Sequence, residues 1–145
     1  MLRLILAVAV FLAASACGKV PYTLAAVGPF SDTAVVTPSL ERVAILVTIT
    51  NQSGGDLQIN PADFVARDAQ RRIYAANATA TVADARLVSR PPEMRGSLPL
   101  PTITLRSDDV VSGFVVFDVP AGVQPVELIW RQSDTDSVAM LSAAG

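Results

Sequence analysis

Residues Arg42 to Asn51 (RVAILVTITN) constrain the fold more than any other part of the chain. Val43, Ile45, Val47 and Ile49 recur every second position, with Ala44, Leu46, Thr48 and Thr50 between them. Period-two placement of β-branched residues predicts a strand with one buried face. The opposite face is only half polar, so a neighbouring segment is expected to cover part of it. A second such run, Val110 to Val119 (VVSGFVVFDV), is apolar on both faces and is expected inside a sheet. Val126 to Gln132 alternates as well, with Val126, Leu128 and Trp130 on one side and Glu127, Ile129 and Arg131 on the other.

Between these runs lie shorter apolar segments bounded by turn chemistry. Tyr22 to Val27 precedes Gly28-Pro29, and Thr33 to Thr37 precedes Pro38. Asn51 to Asp56 (NQSGGD) reads as a turn that returns the chain through Leu57 to Ile59, forming a hairpin. Phe64 is expected as a core anchor in Ala62 to Asp68, and Tyr74 as a half-buried aromatic in Arg72 to Ala75. Thr102 to Leu105 and Val138 to Leu141 complete seven to nine short strands. Residues Asn77 to Pro101 read as a long surface excursion, because Arg90-Pro91-Pro92 and Leu98-Pro99-Leu100-Pro101 cannot lie in a central strand. The pattern predicts an all-β antiparallel sandwich over residues 22–145.

The N-terminus reads differently. One positive charge at Arg3 precedes an unbroken apolar run, Leu4 to Ala14, followed by Ala14-Ser15-Ala16 and Cys17. This is the layout of a secretory signal peptide over residues 1–16. The run is too short for the roughly 20 apolar residues of a spanning helix. Ala14-Ser15-Ala16 also serves ordinary cleavage, which would release a soluble secreted protein. The same residues ahead of Cys17 resemble a lipobox, with Ala14 where leucine is usual. Cys17 is the only cysteine, and an unpaired thiol in an oxidising compartment calls for another use. Acylation supplies that use, so Cys17 is expected as the lipid attachment site. Residues 17–21 would then be the lipidated N-terminus and a short leash. Each buried methylene contributes about 0.8 kcal/mol, and stable anchoring takes more than one chain. Bacterial lipoproteins with signals of this kind carry two or three.

Composition excludes several functions. The 145 residues include 11 basic and 13 acidic side chains, and with Arg3 removed the mature net charge is about −3. No basic stripe suggests nucleic acid. Histidine is absent, so no Ser-His-Asp triad, Cys-His pair or His-based metal site can form. Asp108-Asp109, and separately Asp134 with Asp136, could supply oxygens to calcium loops, but solvated turns explain them as well. Asp63 with Asp68, or Asp84 with Glu93, could pair for acid–base work only if the fold brought them together. Trp130 could stack on a ligand, or could be core. Arg90 to Pro101 could be a preordered recognition loop, or a plain connector. Asn51-Gln52-Ser53 and Asn77-Ala78-Thr79 match the glycosylation pattern, which a bacterial-type lipobox makes irrelevant. No catalytic residue, cofactor or metal ligand is assigned.

The stretch Ala44 to Val119 resembles the telokin-like, immunoglobulin-like domain of bacterial secreted proteins and lipoproteins, a domain of unknown function. Four features carry the resemblance. They are Val47 to Asn51 running into Gly54-Gly55; Asn60-Pro61 followed by Phe64, Asp68 and Tyr74; the Gly-bearing strand Val111 to Pro120; and the apolar strand Val126 to Trp130. The family commonly places a glycine in the turn after the Asp68 position, whereas Ala69-Gln70-Arg71 has none. The resemblance implies an immunoglobulin-like sandwich and a cell-envelope location, and no catalytic residues. Together with Cys17 it predicts a lipid-anchored, extracytoplasmic, non-enzymatic binding module that meets the membrane through its lipid and an unidentified protein partner in the envelope. A small-ligand or metal-ion carrier is the alternative.

Overall fold

The computed structural model describes residues 22–78, 81, 98–132 and 135–142, with backbone only over 32–37. Its strands are β1 (Tyr22–Thr37), β2 (Leu40–Asn51), β3 (Leu57–Ile59), β4 (Phe64–Asp68), β5 (Ile73–Ala75), β6 (Ile103–Leu105), β7 (Val110–Pro120), β8 (Pro125–Arg131) and β9 (Asp136–Met140). They form three antiparallel sheets, ordered β1-β2-β7, β3-β6 and β5-β4-β8-β9. The predicted all-β antiparallel sandwich is thus the observed architecture.

The period-two reading of β2 explains the main core. Val43, Ile45, Val47 and Ile49 are all buried. They meet Val115, Phe117 and Val119 of β7 and, from the facing sheet, Phe64, Ala66, Leu128 and Trp130. Trp130 stacks on Phe64 with ring centroids 5.7 Å apart and an interplanar angle of 10°. Tyr22, the first residue of β1, tilts against the same indole at 4.8 Å. The other face of the β1-β2-β7 sheet carries a second, smaller cluster of Phe30, Ala44, Phe114 and Val116, flanked by Val27 and Leu46. This is the partial cover expected on the half-polar face of β2, and it is why β7 is apolar on both sides.

Two sequence expectations need correction. The turn after Asn51 does not make a β2–β3 hairpin: β3 pairs with β6 instead. Both ladders of β2 are already filled, since Asn51 pairs with Tyr22 of β1 and Thr50 with Val110 of β7. A third partner has no backbone groups to bond. Likewise Gly28-Pro29 does not end β1. The strand continues through a register shift between Val27 and Phe30, across a cis Gly28–Pro29 peptide. Gly28 has φ +138°, and a Cβ there would lie 3.1 Å from the Ala44 carbonyl oxygen, so this bulge requires glycine.

The sandwich edges are closed by isolated bridges. At one side Gly28 N–H donates to the Ser142 carbonyl and Ser142 N–H donates to the Ala26 carbonyl, joining the end of β9 to β1. At the other, the chain leaving β5 runs beside β7: Ala76 bridges Phe117, and Asn77 N–H donates to the Val116 carbonyl. The same edge of β7 then receives the returning chain. Leu100 N–H donates to the Phe114 carbonyl at 2.9 Å, and Phe114 N–H donates to the Leu98 carbonyl at 3.0 Å. The excursion expected over 77–101 therefore starts and ends on β7. Unpaired edges invite intermolecular pairing, and these segments cover one.

Candidate functional site

Cys17, with the whole of residues 1–21, lies outside the described residues. What the fold does define is where the chain behind it enters. Tyr22 sits opposite Asn51 at one end of the sandwich, beside the turns at 52–56 and 106–109 and the end of β8 at Arg131. The Tyr22 hydroxyl donates to Gln132 Oε1 at 2.9 Å and also contacts Ser137 Oγ, so the entry point is tied to both ends of the β8–β9 turn. Exposed Asp56, Asp63, Asp108, Asp109 and Asp136 line this end.

Asn51 organises those turns from within. It is fully buried. Its Nδ2 donates to the carbonyls of Gly55 (2.8 Å) and Leu105 (2.9 Å), and its Oδ1 accepts from Ser53 N–H and Ser53 Oγ. Its backbone N–H and carbonyl bond Asp109 and Asp108. Every polar atom of the residue is occupied, so the glycosylation pattern there has no accessible amide. At Asn77, Nδ2 donates to Asp118 Oδ2 at 2.8 Å; Thr79 of that pattern lies outside the described residues.

Among the described residues the carboxylates do not converge. Asp63 is exposed in the 3-10 turn Pro61–Asp63, while Asp68 is buried at the far end of β4. Asp84, Glu93 and Asp134 lie outside the described residues. Among the described residues no three His, Cys, Asp or Glu side chains stand together as a metal site. Asp68 is instead a structural acceptor. It takes hydrogen bonds from the Arg72 backbone N–H (2.9 Å), Arg72 Nε (2.7 Å) and the Tyr74 hydroxyl (2.9 Å). The turn it closes lacks the glycine common in the resembling family, and Arg71 takes the left-handed conformation in its place, at φ 67°. Burial pushes the Asp68 carboxyl up, but the Arg72 backbone, the Tyr74 hydroxyl and the Arg72 guanidinium outweigh it and hold the pKa below the ordinary value. Asp118 behaves alike: burial raises it, and Arg42 and Asn77 outweigh the burial and bring it below the ordinary value.

The sign of the pH dependence follows. An unfolded chain protonates these groups first, so the stability they contribute is complete above about pH 4 and falls as pH drops through the lowered native values. Urea denaturation across pH 7 to 2 should therefore show Asp68→Asn less stable than wild type at pH 7 but less acid-sensitive. Parallel pH curves for the two chains would rule out this role for Asp68.

Trp130 is fully buried between the sheets and offers no ligand platform; its indole N–H has no hydrogen-bond partner among the described residues. Of Arg90 to Pro101, residues 90–97 lie outside the described residues. Leu100 is buried in the main core, while Leu98 is 71% exposed. The C-terminal end of that segment is therefore a structural cover for β7. A surface depression of about 200 Å³ is lined by Arg67, Asp68, Ala69, Arg71, Val126 and Glu127. It is smaller than the roughly 300–1,000 Å³ of typical small-molecule sites.

The fold and these packing positions define an immunoglobulin-like β-sandwich without a recognisable reaction centre among the described residues. Residues 17–139 match the family model of the domain of unknown function DUF4352, and the chain belongs to that family. Among solved structures it is similar to MPT63, a secreted protein of Mycobacterium tuberculosis, at 17% identity over 82% of each chain and TM-score 0.57. It also matches ycdA of Bacillus subtilis, a lipoprotein candidate, at 15% identity over 83% of this chain and 34% of that one, TM-score 0.48. The yjhA protein of Bacillus subtilis matches at 17% identity over 83% and 90%, TM-score 0.47. Comparison with curated proteins yields no significant match.

Proposed function

We propose that this protein is a lipid-anchored β-sandwich of a bacterial cell envelope, acting as a non-enzymatic binding module outside the cytoplasm. The observation that carries the reading is Cys17: the only cysteine, set behind an apolar run and Ala14-Ser15-Ala16. One finding supports its extracytoplasmic part. The protein of similar fold, MPT63, is described as secreted. The absence of histidine from the sequence, and the tying of Asp68 and Asp118 into ion pairs, support a non-enzymatic role.

The five-residue step from Cys17 to Tyr22 reaches at most about 17 Å when extended. A lipid on Cys17 would thus hold the Tyr22 end of the sandwich close to the membrane and leave the β1–β2 turn at Pro38-Ser39 facing away. Partners would meet the domain on its distal turns or on a sheet face.

Cys17→Ser tests the anchor. The variant is expected to leave the membrane fraction or to accumulate as a precursor retaining residues 1–16. A variant that matures normally and still sediments with membranes would show that Cys17 is not the anchor. Ala14-Ser15-Ala16 keeps one second reading in play, a soluble secreted protein of the same fold, for which the wild type would already be soluble.

A further inference from the structure

The depression of about 200 Å³ between the β4–β5 turn and the start of β8 holds a guanidinium that no described residue engages. It lies at the end of the sandwich away from Tyr22. Tyr22 packs on Trp130, which pairs with Phe64 at the near end of β4, whereas Asp68 at the far end pairs with Pro125. The charges around the depression do not cancel. Arg67 pairs with Glu127, and Arg72 pairs with Asp68 at 2.7 Å. Arg71 lines the depression too, is exposed, and its side chain has no partner among the described residues. Three guanidinium groups thus stand against two carboxylates, leaving one positive charge over. The turn does not need that side chain. It is closed by Arg71 N–H donating to the Asp68 carbonyl at 3.0 Å, and by the Arg72 backbone N–H and guanidinium on the Asp68 carboxylate. Yet Arg71 holds φ 67°, a conformation that suits glycine and strains a longer side chain. Backbone strain under an idle charged side chain is a pointer to function.

We propose that this depression binds a single carboxylate group, held by Arg71, with the first atoms of its stem over Ala69 and Val126. The inference deepens the binding-module reading and rests on it, but it does not rest on the lipid anchor. A guanidinium presents parallel N–H donors that match a carboxylate in a two-bond fork. One negative charge balances the one uncompensated positive charge. A dianionic phosphate would exceed that balance and would also meet the carboxylates of Asp68 and Glu127. The volume is below that of sites for whole drug-sized molecules, so it suits the end group of a ligand. A free small acid and the C-terminus of a peptide both offer such a group.

The test is an amide NMR titration of the full mature chain, purified from membranes or culture medium as it occurs. The probes are propionate, a blocked dipeptide with a free C-terminus, the same dipeptide amidated, and inorganic phosphate. Propionate and the free-acid dipeptide are expected to shift the amides of residues 68–72 and 126–127, the amidated dipeptide to leave them in place, and phosphate to bind several-fold more weakly. Tighter binding of the free-acid dipeptide than of propionate supports the site with a peptide C-terminus as its source, and equal binding supports it with a free acid. Arg71→Gly is expected to weaken binding by roughly tenfold or more, through loss of a charge-assisted pair. Its melting temperature is expected to stay equal or rise, because glycine removes the strain at φ 67°. Carboxylates that leave residues 68–72 and 126–127 unshifted, or that bind Arg71→Gly as tightly as wild type, would overturn the proposal. Shifts confined to another surface would overturn this site while leaving the binding-module reading standing.

Discussion

Gly113→Ala is expected to lower the melting temperature by roughly 10 °C, a loss of about 3 kcal/mol at the upper end of overpacking costs. A Cβ on residue 113 would lie 2.5 Å from both Cα and N of Leu100 and 2.9 Å from the Pro99 carbonyl carbon. All three are backbone atoms, so no rotamer change relieves the clash. The Pro99-Leu100 segment would have to lift off β7. That would break the hydrogen bonds linking Leu98 and Leu100 to Phe114 and withdraw the Leu100 side chain from the core. Thermal unfolding followed by circular dichroism reads the effect directly. A shift of only a degree or two would mean that the 98–100 segment is not seated against Gly113.

Asn51→Ala is expected to cost a similar amount, about 3 kcal/mol, for a different reason. The substitution removes four side-chain hydrogen bonds and leaves the buried Leu105 carbonyl without the amide that satisfies it. An orphaned buried acceptor costs about 1–3 kcal/mol by itself, beyond the modest net worth of the other bonds. Asn51→Asp sharpens the test. Its carboxylate can still accept from Ser53, but it faces the Leu105 and Gly55 carbonyls with no donor to offer. At pH 7 the aspartate variant should be at least as unstable as the alanine variant, measured by urea unfolding. A near-wild-type Asn51→Asp chain would show that the amide contacts to Gly55 and Leu105 do not hold the turns.

These two residues also mark where the sequence is readable. Alternation in β2 and β8 reveals which residues enter the core, because side-chain direction in a strand depends on position alone. Phe64 and Tyr74 are legible for the same reason. Pairing partners are less so. Whether Leu57–Ile59 returns to β2 depends on which ladders of β2 are already taken, and β1 and β7 take both. The β7 side of that occupancy comes from residues 60 or more positions away along the chain, as in the pairing of Thr50 with Val110. The bridges that close the sandwich edges are single contacts without periodicity, so no local pattern announces them. Asn51 is visible as turn chemistry, yet its buried amide finds a purpose only once Leu105 comes beside it. Gly113 is visible as a glycine inside a strand pattern, a signal of close backbone approach; the approaching segment, Pro99-Leu100, is not. For the candidate site only the sequence speaks: Cys17 is proposed from an apolar run, small residues and a lone thiol, and it lies outside the described residues.

The anchor is therefore the claim to test most directly, by intact mass spectrometry of the mature chain from washed membranes of the native host. A lipid-anchored protein should yield a chain that begins at Cys17 and carries the added mass of two or three acyl chains with their glycerol. An unmodified mature chain, recovered from the soluble fraction or beginning at a residue other than Cys17, would contradict it.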